Sequence, residues 1–187
     1  KFALSIFTNE KNQKITKKNW PYGQPRPQHW DVFDEMGLKA QHQKEGFLHD
    51  IDADTAAFDS IMKASQLPKR TLEQKETRRQ AIQAATITAI EIPLRNLRRA
   101  HEAIELAKVA LKGNPNARSD AGVAVSMARA CAEGTWMNVC INLKDLKDET
   151  LKQKYAQEAD ALLFSIRSEA ELLLKSVEEE LRLSPSS

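Results

Sequence analysis

Asp54 interrupts an apolar series. Phe47, Ile51, Asp54, Phe58 and Ile61 are spaced 4-3-4-3, which is one face of a helix. A carboxylate on such a seam loses water, and desolvation disfavours its charged form. Asp50 lies one turn earlier and pushes the same way if ionised. A carboxyl that stays protonated near neutral pH is what a general acid requires. The same spacing also admits a hydrogen-bonded core aspartate. Asn114-Pro-Asn-Ala-Arg-Ser-Asp120 joins a helix start, with its free backbone N–H groups, to the fixed charge of Arg118. Asn114, Arg118, Ser119 and Asp120 are therefore a candidate cradle for a carboxylate or phosphate, or else an ordinary capped connection. Asn138 and Asn142 stand four apart on the face of Cys131 and Gly134. Two buried amides there need partners, which a polar heterocycle or a neighbouring helix would supply.

Other chemistries lack their residues. His29, His42, His49 and His101 show no metal-ligand spacing, and there is no Cys-x-x-Cys pair or glycine-rich phosphate loop. Neither a metal nor a nucleotide-binding fold is expected. Cys131 and Cys140 read as buried, reduced thiols. The 28 basic and 26 acidic residues leave a net charge of +2, so the chain has no global field of the kind nucleic-acid binders use. No run approaches 18 apolar residues, and no membrane span is expected. The opening residues do not read as a signal peptide. The expected location is cytoplasmic.

Helices must position these residues. Gly and Pro number only 6 and 7 among 187 residues, too few for a turn-rich β chain. Residues 1–28 hold five more basic than acidic groups and three of the prolines, which reads as an extended N-terminal arm. A helical domain is expected over 29–187. Its first helix carries the Phe47–Ile61 stripe and ends at Leu67-Pro68. Thr71-Leu-Glu-Gln74 is a capping-box start for a second helix, with Pro93 predicting a kink or break near Ile90 and Gly113 a stop. A third runs from Arg118 through Val123, Met127, Cys131, Gly134, Met137 and Ile141; its many alanines suit close packing. Asp148-Glu149 opens a fourth, striped by Leu151, Tyr155, Ala159, Leu162, Ile166, Ala170, Leu173, Val177 and Leu181. The reading is an all-α, up-and-down bundle. Its apolar stripes offer more surface than a thin bundle hides alone, which points to a homodimer.

The order of motifs carries a resemblance. Asp52-Ala-Asp-Thr-Ala-Ala-Phe58, Leu67-Pro-Lys69, Ile92-Pro-Leu94, Gly113-Asn-Pro-Asn-Ala-Arg-Ser-Asp-Ala-Gly122 and Asn138-Val-Cys-Ile-Asn-Leu143 follow one another. Together they resemble the cyclodeaminase/cyclohydrolase family of folate enzymes, from about Trp30 onward. The resemblance implies an all-helical dimer with its folate site near the subunit interface. It implies closure of 5-formimino-tetrahydrofolate to 5,10-methenyl-tetrahydrofolate with release of ammonia. It makes Asp54, the second aspartate of Asp-Ala-Asp, the proton donor. A tetrahydrofolate derivative is then the substrate, with no metal, and a formiminotransferase is a candidate partner. The family's glycine-rich stretch has no counterpart among the six isolated glycines. Two alternatives stay open: a methenyltetrahydrofolate cyclohydrolase, and a helical binding or assembly protein without activity.

Overall fold

The computed structural model describes residues 30–113 and 117–183. The arm at 1–28 and Asn114 lie outside them. The described chain is four helices with no strand: α1 Trp30–Ser65, α2 Leu72–Leu111, α3 Arg118–Leu143 and α4 Glu149–Leu183. The all-α reading stands. None of these helices is long and apolar enough to cross a membrane.

Local chemistry sets the boundaries. At the start of α2 the Gln74 backbone N–H donates to Thr71 Oγ1 at 3.1 Å, while the Thr71 N–H donates back to Gln74 Oε1 at 3.3 Å. This is the expected capping box. Arg78 Nε donates to the Ser65 carbonyl at 2.9 Å, satisfying an orphan acceptor at the end of α1. Before α4, Asp148 Oδ1 accepts from the Leu151 N–H at 2.9 Å. Gly113 follows α2, where an added Cβ would lie 2.9 Å from a Phe33 ring carbon of α1, so any larger residue there has to displace that ring.

Helices α2, α3 and α4 enclose the main core, built on Leu97, Ile104, Val125, Val139 and Ile166. The α4 stripe packs as expected through Tyr155, Ala159, Ile166, Ala170 and Val177, whereas Leu181 is half exposed. α1 packs chiefly on α2, and its Met36 shares a small apolar cluster with Ala110 of α2 and Ala121 of α3. Beyond that end α1 and α3 flank α2 on either side, and a groove opens between them.

Three expectations are corrected. The Phe47–Ile61 stripe is not the buried face of α1, since Ile51 and Phe58 are each 64% exposed. The buried positions are Met36, Asp50, Ala57 and Ala64, with Gln43 half-buried: a strict seven-residue spacing of mostly small or polar side chains. The physical reason is that α1 meets chiefly one helix rather than a core, and lies close to it. An added Cβ at Gly46 would overlap the Arg99 guanidinium of α2. On α3 the outward face carries Val123, Met127, Met137 and Ile141, while Ala121, Val125, Ala128, Ala132 and Val139 go inward. Finally, α2 continues as one helix through Pro93, so of the expected kink or break the break does not occur. Proline has no N–H to give the carbonyl four residues earlier, that of Ala89. Asn142 Nδ2 of α3 donates to this carbonyl instead, at 2.7 Å.

Candidate functional site

The groove between α1 and α3 has a volume of about 880 Å³, within the range of small-molecule sites. Its floor is the α2 face carrying Pro93, Asn96, Ala100, Ala103 and Ala107. Small side chains on that face keep the floor low. One end is polar: Asp54 and Thr55 from α1, Asn96 from α2, and Thr135 and Asn138 from α3. Further along stand Gln43 and Lys44, and the far end is apolar, at Met36, Ala110, Ala121 and Val123.

Asp54 and Asn138 are therefore brought into one groove from opposite walls. Asp54 is exposed in the single chain rather than desolvated on a core seam. The buried carboxylate is Asp50, one turn earlier and 1% exposed. Arg95 Nε donates to its Oδ2 at 3.0 Å, Arg99 Nη1 bonds the same oxygen, and His49 Nδ1 lies 3.3 Å from Oδ1. Burial pushes the Asp50 carboxyl up, but the Arg95 hydrogen bond, His49 and the two guanidinium charges outweigh it. The group is held below the usual aspartate range. It is an ion-paired anchor between α1 and α2, not a reservoir of acid protons.

The remaining candidates separate. Asn142 serves the Ala89 carbonyl behind the groove. Arg118 pairs with Glu180 of α4, and neither lines the groove. Ser119 is exposed and Asp120 half-buried on the first turn of α3, also outside the groove lining. Asn114 lies outside the described residues. Cys131 lines the groove half-buried, and burial pushes its thiol up; Cys140 is likewise half-buried.

Sequence spacing missed Gln43, Lys44, Asn96 and Thr135. The signal for the first was present in the seven-residue series Met36, Gln43, Asp50, Ala57 and Ala64. Spacing also missed His101, Glu105 and Glu169, whose ligand-type atoms lie within 4.8 Å of one another across α2 and α4. The ammonium of Lys108 sits among them, 2.6 Å from Glu105 Oε1 and paired with Glu169. One ammonium thus bridges the two carboxylates.

The family described as formiminotransferase-cyclodeaminase matches residues 15–161 of this sequence. Curated relatives include the methenyltetrahydrofolate cyclohydrolase of Methylorubrum extorquens, 44% identical over 114 residues, covering 60% of this chain and 55% of that protein. The formimidoyltransferase-cyclodeaminase of Sus scrofa is 33% identical over 159 residues, covering 84% of this chain and 29% of that protein. The chain thus spans about half the length of the first and under a third of the second. The crystal structure of formiminotetrahydrofolate cyclodeaminase from Thermotoga maritima matches 82% of this chain and 76% of its own, with a TM-score of 0.54 at 20% identity. At that identity the likeness is one of fold.

Proposed function

The chain belongs to the formiminotransferase-cyclodeaminase family, and on that premise we propose that its groove binds a tetrahydrofolate derivative and acts on the one-carbon unit between N5 and N10. The observation that carries the reading is the polar end of the groove. Asp54 faces it from α1, and Asn96 and Asn138 supply amides from α2 and α3. A flat, hydrogen-bonding heterocycle fits between amide donors and acceptors on an alanine floor. The favoured reaction is cyclodeamination of 5-formimino-tetrahydrofolate. N10 attacks the carbon of the formimino group, an amidine that is protonated (–CH=NH2⁺) at neutral pH, and forms a tetrahedral centre bearing an amine. The amine takes a proton from Asp54 and leaves as ammonia; the N10 proton restores the acid. The product is the 5,10-methenyl cation. A bound ring shields Asp54 from water, which the open groove does not. Hydrolysis of the methenyl bridge is the second reading, supported by the 44% identity to a cyclohydrolase. A homodimer and a cytoplasmic location belong to the same proposal, and a formiminotransferase is its proposed protein partner.

The test offers both substrates to the chain and to Asp54→Asn. Ammonia release from the formimino compound supports the first reading; opening of the methenyl compound without it supports the second. Turnover in Asp54→Asn is expected to fall about 10²–10⁴-fold, the usual range for losing a general acid. The melting temperature should hold, because Asp54 is exposed. Near-normal turnover removes Asp54 from the mechanism, and inactivity of the parent chain on both substrates favours the binding-protein alternative.

A further inference from the structure

One hydrogen bond behind the groove fixes the polarity of an amide that lines it. Arg99 of α2 is pinned against α1: its Nη1 bonds Asp50 Oδ2, and its guanidinium lies where a Cβ on Gly46 would stand. Its side chain is only 17% exposed and does not line the groove. The same Nη1 donates to Asn96 Oδ1 at 3.1 Å. A guanidinium has donors and no acceptor, so the end of the amide it meets is the oxygen. Asn96 Nδ2 is thereby turned the other way. It has no hydrogen-bond partner among the described residues and is not sealed by them, and Asn96 lines the groove. Asn96 therefore offers the groove a donor and no acceptor. Thr135 of α3, also on the groove, is fixed in the opposite sense. Its hydroxyl donates to the carbonyls of Cys131 and Ala132, at 2.9 and 3.1 Å, and leaves only lone pairs for a ligand. The two residues stand level. α2 and α3 are antiparallel neighbours with Asn142 on Ala89. Seven residues from that contact along each helix, about two turns, lead to Asn96 and Thr135 on nearly the same faces.

The geometry points to Arg99 as a positioning residue that locks Asn96 as a donor, so that Asn96 and Thr135 together select a ring with a lactam edge, a carbonyl beside an N–H. The carbonyl accepts from Asn96 Nδ2, and the adjacent N–H donates to Thr135 Oγ1. A ring with an amino group in place of the carbonyl reverses both groups. Its amino group meets the Asn96 donor, and its bare ring nitrogen meets the Thr135 lone pairs. Polar groups left unmatched in a half-enclosed site cost more than matched ones gain, which is how a site built for hydrogen bonds discriminates. Resting on the folate reading, the inference assigns the edge of the pterin ring that meets α2 and α3: the 4-oxo group and N3–H. Arg99 acts on the ligand only through Asn96, since neither it nor Gly46 lines the groove.

Titration calorimetry tests the assignment with two probes that differ only at that edge: tetrahydrofolate and its 4-amino-4-deoxy analogue. The readout is the ratio of their dissociation constants, in which a general disturbance of the fold cancels. The parent chain should prefer tetrahydrofolate roughly tenfold or more, the usual effect of a mispaired polar group. Asn96→Asp keeps the shape, takes the Arg99 bond with one oxygen and turns the other, an acceptor, to the groove. Its ratio should move toward the amino analogue, again roughly tenfold or more. Gly46→Ala changes no charge but must displace the Arg99 guanidinium, which frees the Asn96 amide to turn. Its ratio should fall toward one, and Arg99→Met should act the same way if Gly46→Ala does not fold. Equal binding of both probes by the parent chain overturns the inference and leaves the folate reading standing. So does a ratio that Asn96→Asp leaves unmoved. A ratio that moves in Asn96→Asp but in neither Gly46→Ala nor Arg99→Met overturns the lock by Arg99. A parent chain that binds neither probe overturns the inference and the folate reading together.

Discussion

Two aspartates one turn apart on α1 stand in opposite surroundings, and burial separates them. Asp50 is sealed against Arg95 and Arg99 and held ionised, while Asp54 faces the groove. The sequence pattern singles out this helix but predicts desolvation at Asp54, whereas the structure buries Asp50. The consequence can be measured. Asp50 has a folded pKa below its unfolded one, so the unfolded chain takes up that proton more readily. Its stabilising contribution is present above about pH 4, the unfolded value, and is lost as pH falls through the depressed one. Asp50→Asn should cost roughly 1.5–3 kcal/mol at neutral pH and flatten this part of the acid limb in chemical denaturation. Equal acid slopes in the two proteins would refute the anchor role. Glu169, lowered to about 2 by Lys108 and Ser165 against the upward push of burial, adds a limb of the same sign that Asp50→Asn leaves intact. Arg118→Ala, by contrast, removes a partly exposed surface pair. It should change stability by no more than about 1 kcal/mol and leave ligand affinity unchanged.

Among the elements, α2 shows how a sequence rule is overridden by a contact. Pro93 argues for a break, yet the helix continues because the orphaned Ala89 carbonyl receives a donor from α3. Asn142→Leu has nearly the same bulk and no donor. It should cost roughly 1–3 kcal/mol and lower the melting temperature without the loss of turnover expected of Asp54→Asn. A matched loss of turnover would return Asn142 to the ligand site. The same distinction explains what was legible beforehand. Caps at Thr71 and Asp148 are local, a few residues reading their own backbone; the first is legible as a capping box and the second as a helix start. The number of helices and the α4 stripe follow from periodicity, since α4 packs one face against two neighbours. The faces of α1 and α3 were not legible. Large apolar residues there stay outside, while alanines and an ion-paired aspartate go inside. A periodicity argument assigns the bulkiest stripe to the core and has no knowledge of how closely two helices approach.

At the scale of the whole molecule, the outward stripes become one problem. Ile51, Phe58 and Met62 stand exposed on α1, and Met127, Met137 and Ile141 on α3, on helices that flank the same groove. Each is about half or more exposed, and scattered apolar residues would need no account, but two stripes beside one groove do. At about 25 cal/mol per Å² of apolar area removed from water, covering both stripes favours association over leaving them wet. A second copy of the chain carries the same pair of stripes, so a two-fold arrangement pairs like with like. Gly134, with nothing within 4 Å of an added Cβ, lies on the α3 stretch between Met127 and Ile141 and leaves room for a close neighbour. Phe58→Asp combined with Ile141→Asp places charges on both stripes without touching the α2–α3–α4 core. Sedimentation should find the parent chain dimeric at micromolar concentration and the double variant monomeric with its helical content retained. Turnover per chain should fall with the dimer fraction if the groove needs its neighbour to close. A parent chain that sediments as a stable folded monomer rules out the homodimer. A double variant that stays dimeric moves the interface elsewhere, to the outer face of α4 where Phe164 and Leu172 are also exposed.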